Sequence, residues 1–152
     1  MKLTLAGVSH HKAPIELRER VALDVEACRA LAERLEGEAI VLSTCNRTEL
    51  YLAHEEHAEE LAIGTLVELA GDRGADLTAA LYRLRDEAAA LHLFRVAAGL
   101  DSLVPGEGEI LGQVRTAFEV GSPGPFLDKL FRQALHAGRR VRLETAISES
   151  PA

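Results

Sequence analysis

The sequence predicts an α+β fold in which a ferredoxin-like split βαβ sheet carries helices on one face and is followed by C-terminal helices. Two observations lead to this prediction. Apolar patterns follow the order strand, helix, strand, strand, helix, strand over about residues 1–86. From there to about residue 143 every apolar pattern has helical spacing. We expect one domain over residues 1–145, with residues 146–152 starting a linker.

Four strands are expected where short aliphatic runs are bounded by turn residues. These runs lie at residues 3–8, 39–42, 49–53 and 81–84. The second and third runs are separated by a polar stretch, Ser43 to Arg47, which predicts a connection at strand ends. Cys45 is therefore expected at the tip of that connection.

Five helices are expected from apolar positions that recur every three or four residues. They lie at residues 24–37, 55–70, 87–99, 109–119 and 127–141. In the first of these, Asp24 is the expected N-cap and Gly37 the stop. Cys28 falls on its apolar face, which favours a buried structural thiol.

Bulk properties exclude several classes of protein. The formal net charge of −7 argues against a general nucleic-acid binder, whose phosphate contacts require a basic excess. No apolar run approaches the roughly 18 residues that span a membrane, and no secretory signal is present, so we expect a cytoplasmic protein. Without secretory context, Cys28 and Cys45 are expected to be free thiols.

Cys45 has the surroundings of a reactive thiol. Arg47 lies two residues further on, and Thr44 and Asn46 flank the cysteine with hydrogen-bonding groups that can orient a substrate carbonyl or carboxylate. A nearby cation favours the thiolate, which is the nucleophilic form. The alternative is a small, partly buried residue that closes a turn, and spacing alone does not decide between the two.

Three groups of motifs resemble, in order and spacing, the glutamyl-tRNA reductase family. The motifs occupy residues 7–10, 13–14 and 16–20, then 43–51, then 92–104 and 106–114. The resemblance extends over nearly the whole chain. It implies that Cys45 attacks the ester between glutamate and the tRNA 3′ end, giving a glutamyl thioester and free tRNA. His92 corresponds to the family's activity-critical histidine.

The resemblance also implies a glutamate site around the nucleophile. Its residues are Thr44, Asn46, Arg47, Ser102, Glu107, Gly108, Glu109 and Gln113. A bidentate guanidinium such as that of Arg47 suits a substrate carboxylate, while Glu107 or Glu109 suits the ammonium group. Glu109 stands where the family often has Gln.

The cofactor and partners follow from the same resemblance. The whole enzyme is expected to use NADPH to reduce the thioester to glutamate-1-semialdehyde, the first step of tetrapyrrole (porphyrin, haem) synthesis by this route. It is expected to dimerise through C-terminal helices outside this chain and to deliver its product to glutamate-1-semialdehyde aminomutase. Gly106, Gly108 and Gly112 do not form a dinucleotide-binding turn, because their spacing is wrong and no strand precedes them. We therefore expect this chain to form the thioester without reducing it.

Two other functions stay open from the residues alone: a ferredoxin-like ligand-binding module, and a cysteine thioesterase or acyltransferase using Cys45 with His92. No metal site is predicted, because His54 and His57 have no third ligand nearby in sequence. The last helix carries a basic face that is either a tRNA contact or a solvated surface. Its cations are Lys129, Arg132, His136, Arg139 and Arg140.

Overall fold

The computed structural model describes residues 1–101 and 109–149. In chain order the elements are β1 (Lys2–Ser9), α1 (Ile15–Val21), α2 (Val25–Arg34), β2 (Glu38–Ser43), β3 (Arg47–His54), α3 (Ala58–Ala70), α4 (Gly74–Ala80), β4 (Tyr82–Arg85), α5 (Asp86–Ala97), α6 (Ile110–Val120) and α7 (Pro125–Glu149). Within the described ranges, no helix combines the length and the apolar character that crossing a membrane requires.

The four strands form one sheet in the order β2-β3-β1-β4, and every neighbouring pair is antiparallel. This is the split βαβ arrangement, so the predicted fold class is confirmed. Each observed strand begins and ends within two residues of its expected bounds.

Helices cover both faces of the sheet. α1 to α4 pack on one face, and α5, α6 and α7 pack on the other. Successive side chains of a strand point to opposite faces, so β1 and β3 are buried along almost their whole length. Helices α1 to α4 occupy the single face expected for the ferredoxin-like unit. The later helices bury the face that the sequence pattern left unassigned.

Helix α2 begins after Asp24, as the sequence predicts, but ends at Arg34, three residues before the expected stop at Gly37. The Asp24 side chain accepts a hydrogen bond from the Ala27 N–H at 2.8 Å, which caps the helix. Gly37 follows the helix with φ of 91°, a conformation that glycine adopts without steric cost. Cys28 is buried on the inner side of the helix, as expected.

The sequence pattern predicts neither α1 nor α4. Each has seven residues, which is too short for a helical period to stand out. Pro14, which the pattern marks as an interruption, is instead the residue from which α1 starts. Leu17 and Val21 are buried in the core on the α1–α4 face, so tertiary packing stabilises this helix.

Glu38, the first residue of β2, anchors the start of α7. Its carboxylate accepts hydrogen bonds from the N–H groups of Gly124, Phe126 and Leu127 at 2.8, 3.3 and 2.7 Å. These N–H groups have no partner inside the helix, and a carboxylate there also interacts favourably with the helix dipole. A Cβ at Gly124 would lie 2.6 Å from the Glu38 Cδ, so the contact requires glycine.

Candidate active site

The Cys45 turn joins β2 to β3 at one end of the sheet. The Thr44 N–H donates to the Arg47 carbonyl at 2.8 Å, which leaves Cys45 and Asn46 at the tip. The Asn46 N–H donates to the Thr44 hydroxyl at 3.1 Å. The His10 N–H donates to the Asn46 carbonyl at 2.9 Å, so the end of β1 lies against the turn. Cys45 is exposed, and solvent can reach it.

Arg47 is buried at the start of β3, with its side chain 1% exposed. Its Nη1 donates to the Asp101 carboxylate at 2.9 Å, and its Nη2 donates to the Asp101 carbonyl. The Glu49 carboxylate lies 3.5 Å from the same Nη1. Burial is the largest effect on the pKa of Arg47 and lowers it, but Glu49 and Asp101 together outweigh burial and raise the pKa. The guanidinium is therefore a buried permanent cation that already binds a carboxylate.

Glu49 lies beneath Arg47 on the same face of β3 and is fully buried. Its carboxylate accepts hydrogen bonds from the Tyr51 hydroxyl at 2.9 Å, from the Tyr82 hydroxyl, and from the His92 Nε2 at 2.6 Å. Burial is the largest single effect on the pKa of Glu49 and raises it. The net pKa is nevertheless lowered, because burial is outweighed by the hydrogen bond and charge of His92, the charge of Arg47 and the hydrogen bond from Tyr82. Glu49 is consequently ionised. Burial and Glu49 raise the pKa of both tyrosines, which keeps them as donors.

Gly7 makes this cluster possible. It lies between Glu49 on β3 and Tyr82 on β4 in the register of the sheet. A Cβ there would lie 2.9 Å from the Glu49 Cγ and 3.0 Å from the Tyr82 Cζ. Without a side chain at Gly7, the tyrosine hydroxyl reaches across β1 to the carboxylate.

His92 reaches the cluster from α5, with 16% of its side chain exposed. It borders a cavity of about 290 Å³ that opens between the end of β1 and the start of β4. The other lining residues are Ser9, His11, Lys12, Tyr82, Leu84 and Asp101. Asp101 is shared between this cavity and the Arg47 guanidinium, so His92 and Arg47 belong to one connected site.

A larger cavity, of about 640 Å³, lies along the outer edge of β2. Glu109 and Gln113 line it from the start of α6, and Ser43 lines it from the strand that leads into the Cys45 turn. The Gln113 Oε1 is buried and has no hydrogen-bond partner among the described residues. Polar groups from α6 and the end of β2 thus face a common space beside the turn.

A family model described as "Glutamyl-tRNAGlu reductase, N-terminal domain" matches residues 6–145. The chain belongs to this family. It is 46% identical to the glutamyl-tRNA reductase of Rubrobacter xylanophilus and 45% identical to that of Marinobacter nauticus, covering 99% of this chain and 37% of each relative. It also resembles the solved structure of glutamyl-tRNA reductase from Methanopyrus kandleri, with a TM-score of 0.69 and 34% identity over 98% of this chain and 36% of that chain. The chain thus spans little more than a third of the length of these relatives.

The fold brings most of the residues expected from the glutamyl-tRNA reductase resemblance to one end of the sheet. Thr44, Cys45, Asn46 and Arg47 form the hairpin tip, His92 joins Arg47 through Glu49, and Glu109 and Gln113 face the edge cavity. Ser102, Glu107 and Gly108 lie outside the described residues.

Sequence reasoning missed Glu49, Tyr82 and Asp101. One of them carried a usable signal, since Glu49 stands two residues after Arg47 in a strand and therefore shares its face. Tyr82 and Asp101 lie 33 residues from Glu49 and 54 residues from Arg47, respectively, and no local spacing connects them.

Cys28 is a structural thiol. It is 6% exposed, and burial, followed by the charge of Asp24, raises its pKa to about 11. It therefore stays protonated near neutral pH. His54 is likewise structural, since its Nδ1 accepts from the N–H groups of Glu56 and His57 before α3. Over residues 1–101 and 109–149, no three His, Cys, Asp or Glu side chains are gathered as metal ligands.

Proposed function

We propose that this chain carries the thioester-forming step of glutamyl-tRNA reduction, in which the glutamyl group passes from tRNA to Cys45. The supporting observation is an exposed thiol two residues from a buried guanidinium that already binds a carboxylate. The Cys45 Sγ bonds to the ester carbonyl carbon while the bond from that carbon to the ribose oxygen breaks. The thiol proton ends on the released ribose hydroxyl, and the products are an S-glutamyl cysteine and free tRNA.

In this proposal Arg47 binds a carboxylate of the glutamyl group. Asp101 supports the assignment, because its carboxylate already meets the guanidinium at 2.9 Å. A substrate carboxylate would take the place of Asp101, or would use the Arg47 Nε, whose N–H has no acceptor among the described residues. Glutamate therefore competes with an internal carboxylate for one buried cation.

His92 acts in this proposal through Glu49. Because Glu49 is ionised and accepts hydrogen bonds, the His92 Nε2 carries a hydrogen. Glu49 also holds the inner side of Arg47, so His92 and Arg47 are oriented by one carboxylate.

The second charged end of the substrate is assigned to the edge cavity. Glu109 suits an ammonium group there, and the buried Gln113 oxygen, which has no partner among the described residues, can accept a hydrogen bond from it. We propose Thr44 and Asn46, at the hairpin tip, as the groups that orient the ester carbonyl. Ser102, Glu107 and Gly108 complete the proposed site by resemblance.

The resemblance implies NADPH for the whole enzyme, and the described residues do not fit that cofactor. Gly112 lies inside α6, and helix α5 rather than a strand comes before the stretch that contains Gly106 and Gly108. The proposal for this chain therefore stops at the thioester. For the whole enzyme we propose, by resemblance alone, a homodimer in the cytoplasm that passes its aldehyde product to glutamate-1-semialdehyde aminomutase.

Contact with the body of the tRNA is proposed for the basic face of α7. Gly138 packs against the Ala97 carbonyl near the end of α5, and Asp101 follows that end and binds Arg47. Arg139 and Arg140 are exposed and come next along α7, so they lie near the end of the sheet that carries Cys45.

Mass spectrometry after incubation with glutamyl-tRNA tests the proposed function. A glutamyl adduct should form on Cys45, disappear in Cys45→Ala and persist in the matched control Cys28→Ala. If NADPH is added to the 152-residue chain, the adduct should not yield glutamate-1-semialdehyde. A wild-type chain that forms no adduct, or an adduct that survives Cys45→Ala, contradicts the proposal. Hydrolysis of simple thioesters without tRNA would favour a thioesterase instead.

A further inference from the structure

Arg18 connects two loops at the end of the sheet that carries Cys45. It lies in the middle of α1, half-buried, within the motif of residues 16–20. Its Nη1 donates to the Cys45 carbonyl at 3.0 Å, and its Nε donates to the Ala13 carbonyl at 3.1 Å. One guanidinium thus ties the segment leaving β1 to the residue that bears the thiol.

The geometry of the turn explains why such a tie matters. Two-residue hairpin connections normally use turns with a positive φ at one or both central residues, because those turns match the twist of the strands. Neither Cys45 nor Asn46 has a positive φ. The tip is consequently held by contacts from outside the hairpin, namely the His10 N–H on the Asn46 carbonyl and Arg18 on the Cys45 carbonyl.

We propose that Arg18 is a positioning residue for Cys45, an inference that rests on the proposed function of Cys45 as the nucleophile. The Cys45 carbonyl and the Cys45 side chain share one Cα. Fixing the carbonyl with a guanidinium therefore restrains the Cα–Cβ bond that carries Sγ. The same contact keeps a positive charge at the residue that bears the sulfur while the sulfur attacks the ester.

The two acceptors make the role specific to arginine. The Cys45 and Ala13 carbonyls are bound by two different nitrogens of one planar group. A lysine keeps the charge, but its three hydrogens leave from one nitrogen, so it cannot reproduce the two separated donors that bind the two loops. Arg18→Lys therefore separates charge from positioning, and Arg18→Gln removes both.

The experiment compares Arg18→Gln and Arg18→Lys with Arg20→Gln in the full 152-residue chain. Arg20 is a matched control because it lies on the same helix and loses the same charge, but pairs with Asp72 on the surface. Single-turnover transfer of glutamate from tRNA to Cys45 is measured over a range of tRNA concentrations. Cys45 alkylation by iodoacetate and by iodoacetamide is measured separately, with labelling of buried Cys28 reporting any loss of the fold.

We expect Arg18→Gln to slow transfer about tenfold with little change in the half-saturating tRNA concentration, because misplaced reacting groups lower the rate rather than the binding. Arg18→Lys should recover only part of that rate, and Arg20→Gln should match the wild type. Any one of four results would overturn the positioning role. They are an unchanged transfer rate in Arg18→Gln, full recovery of the rate in Arg18→Lys, an equal loss of rate in Arg20→Gln, and new labelling of Cys28 in Arg18→Gln.

Alkylation separates failure of this inference from failure of the proposed function. If the wild-type chain forms no glutamyl adduct, the proposed function is wrong. The preference of Cys45 for anionic iodoacetate over neutral iodoacetamide still measures the effect of the Arg18 charge in that case. That preference should fall about threefold in Arg18→Gln, as expected for removing one charge from the neighbourhood of the thiol in a solvent-exposed site. It should stay constant in Arg20→Gln. An unchanged preference in Arg18→Gln contradicts the contact itself.

Discussion

Replacing Glu49 with Gln tests whether one buried carboxylate holds the candidate site together. Glu49 is fully buried and accepts hydrogen bonds from Tyr51, Tyr82 and His92, with Arg47 3.5 Å away. Glutamine keeps the shape but has one acceptor oxygen, and its NH₂ group faces donors. Hydrogen bonds to charged groups contribute about 1.5–3 kcal/mol each, so losing two of them should lower the free energy of unfolding by about 3–6 kcal/mol. This is a large part of the roughly 5–15 kcal/mol typical of a domain.

The same substitution should change the acid sensitivity of the fold. The pKa values of Glu49 and Asp101 are both lowered in the folded chain from their ordinary values of 4.5 and 3.8. The unfolded chain therefore binds more protons in acid, and the contribution of these groups is complete above the ordinary values and is lost as the pH falls through the folded ones. Removing Glu49 leaves Asp101 alone, so stability should decline less steeply below about pH 4.5.

Urea unfolding followed by circular dichroism, at pH 7 and at steps down to pH 3, measures both effects. Glu144→Gln is the matched control, because Glu144 is 70% exposed and pairs with Arg140 on the surface of α7. Such a pair contributes no more than about 0.5 kcal/mol. If Glu49→Gln unfolds within about 0.5 kcal/mol of the control and with the same acid slope, the carboxylate does not hold the cluster.

Three further predictions concern stability and tRNA. Glu38→Ala leaves one buried and two partly buried N–H groups at the start of α7 without their acceptor. Urea unfolding should show a free energy of unfolding about 3 kcal/mol lower in Glu38→Ala and a smaller decrease in Glu38→Gln. Asp101→Ala removes the carboxylate that pairs with the Arg47 guanidinium and should lower the free energy of unfolding by about 3 kcal/mol. Millimolar glutarate should raise the melting temperature of this variant more than equimolar chloride does. An equal effect of both salts would show that external carboxylates do not reach Arg47. Joint Arg139→Glu and Arg140→Glu substitution should weaken tRNA binding and reduce the slope of log K against log salt by about 1–2, while an unchanged slope would mark a solvated face.

The order of the elements and the place of the proposed nucleophile could be predicted from the sequence. Period-two and helical spacings are local properties of the chain, and they located every strand within two residues. The polar stretch between two aliphatic runs placed Cys45 at a hairpin tip, and helical spacing placed Cys28 in the core. Local sequence spacing therefore predicts the position of residues whose environment depends on their immediate neighbours in the chain.

The sequence by itself determined the sheet, most of its helices and an accessible thiol beside an arginine. Only the tertiary structure decided what surrounds them: the second helical layer on the sheet, the cluster around Glu49, the Asp101 carboxylate on Arg47, and Arg18 on the Cys45 turn. The contacts of Arg18, Tyr82, His92 and Asp101 span 27 to 54 residues of chain. Such pairings are fixed by strand register and helix packing, which no local spacing encodes.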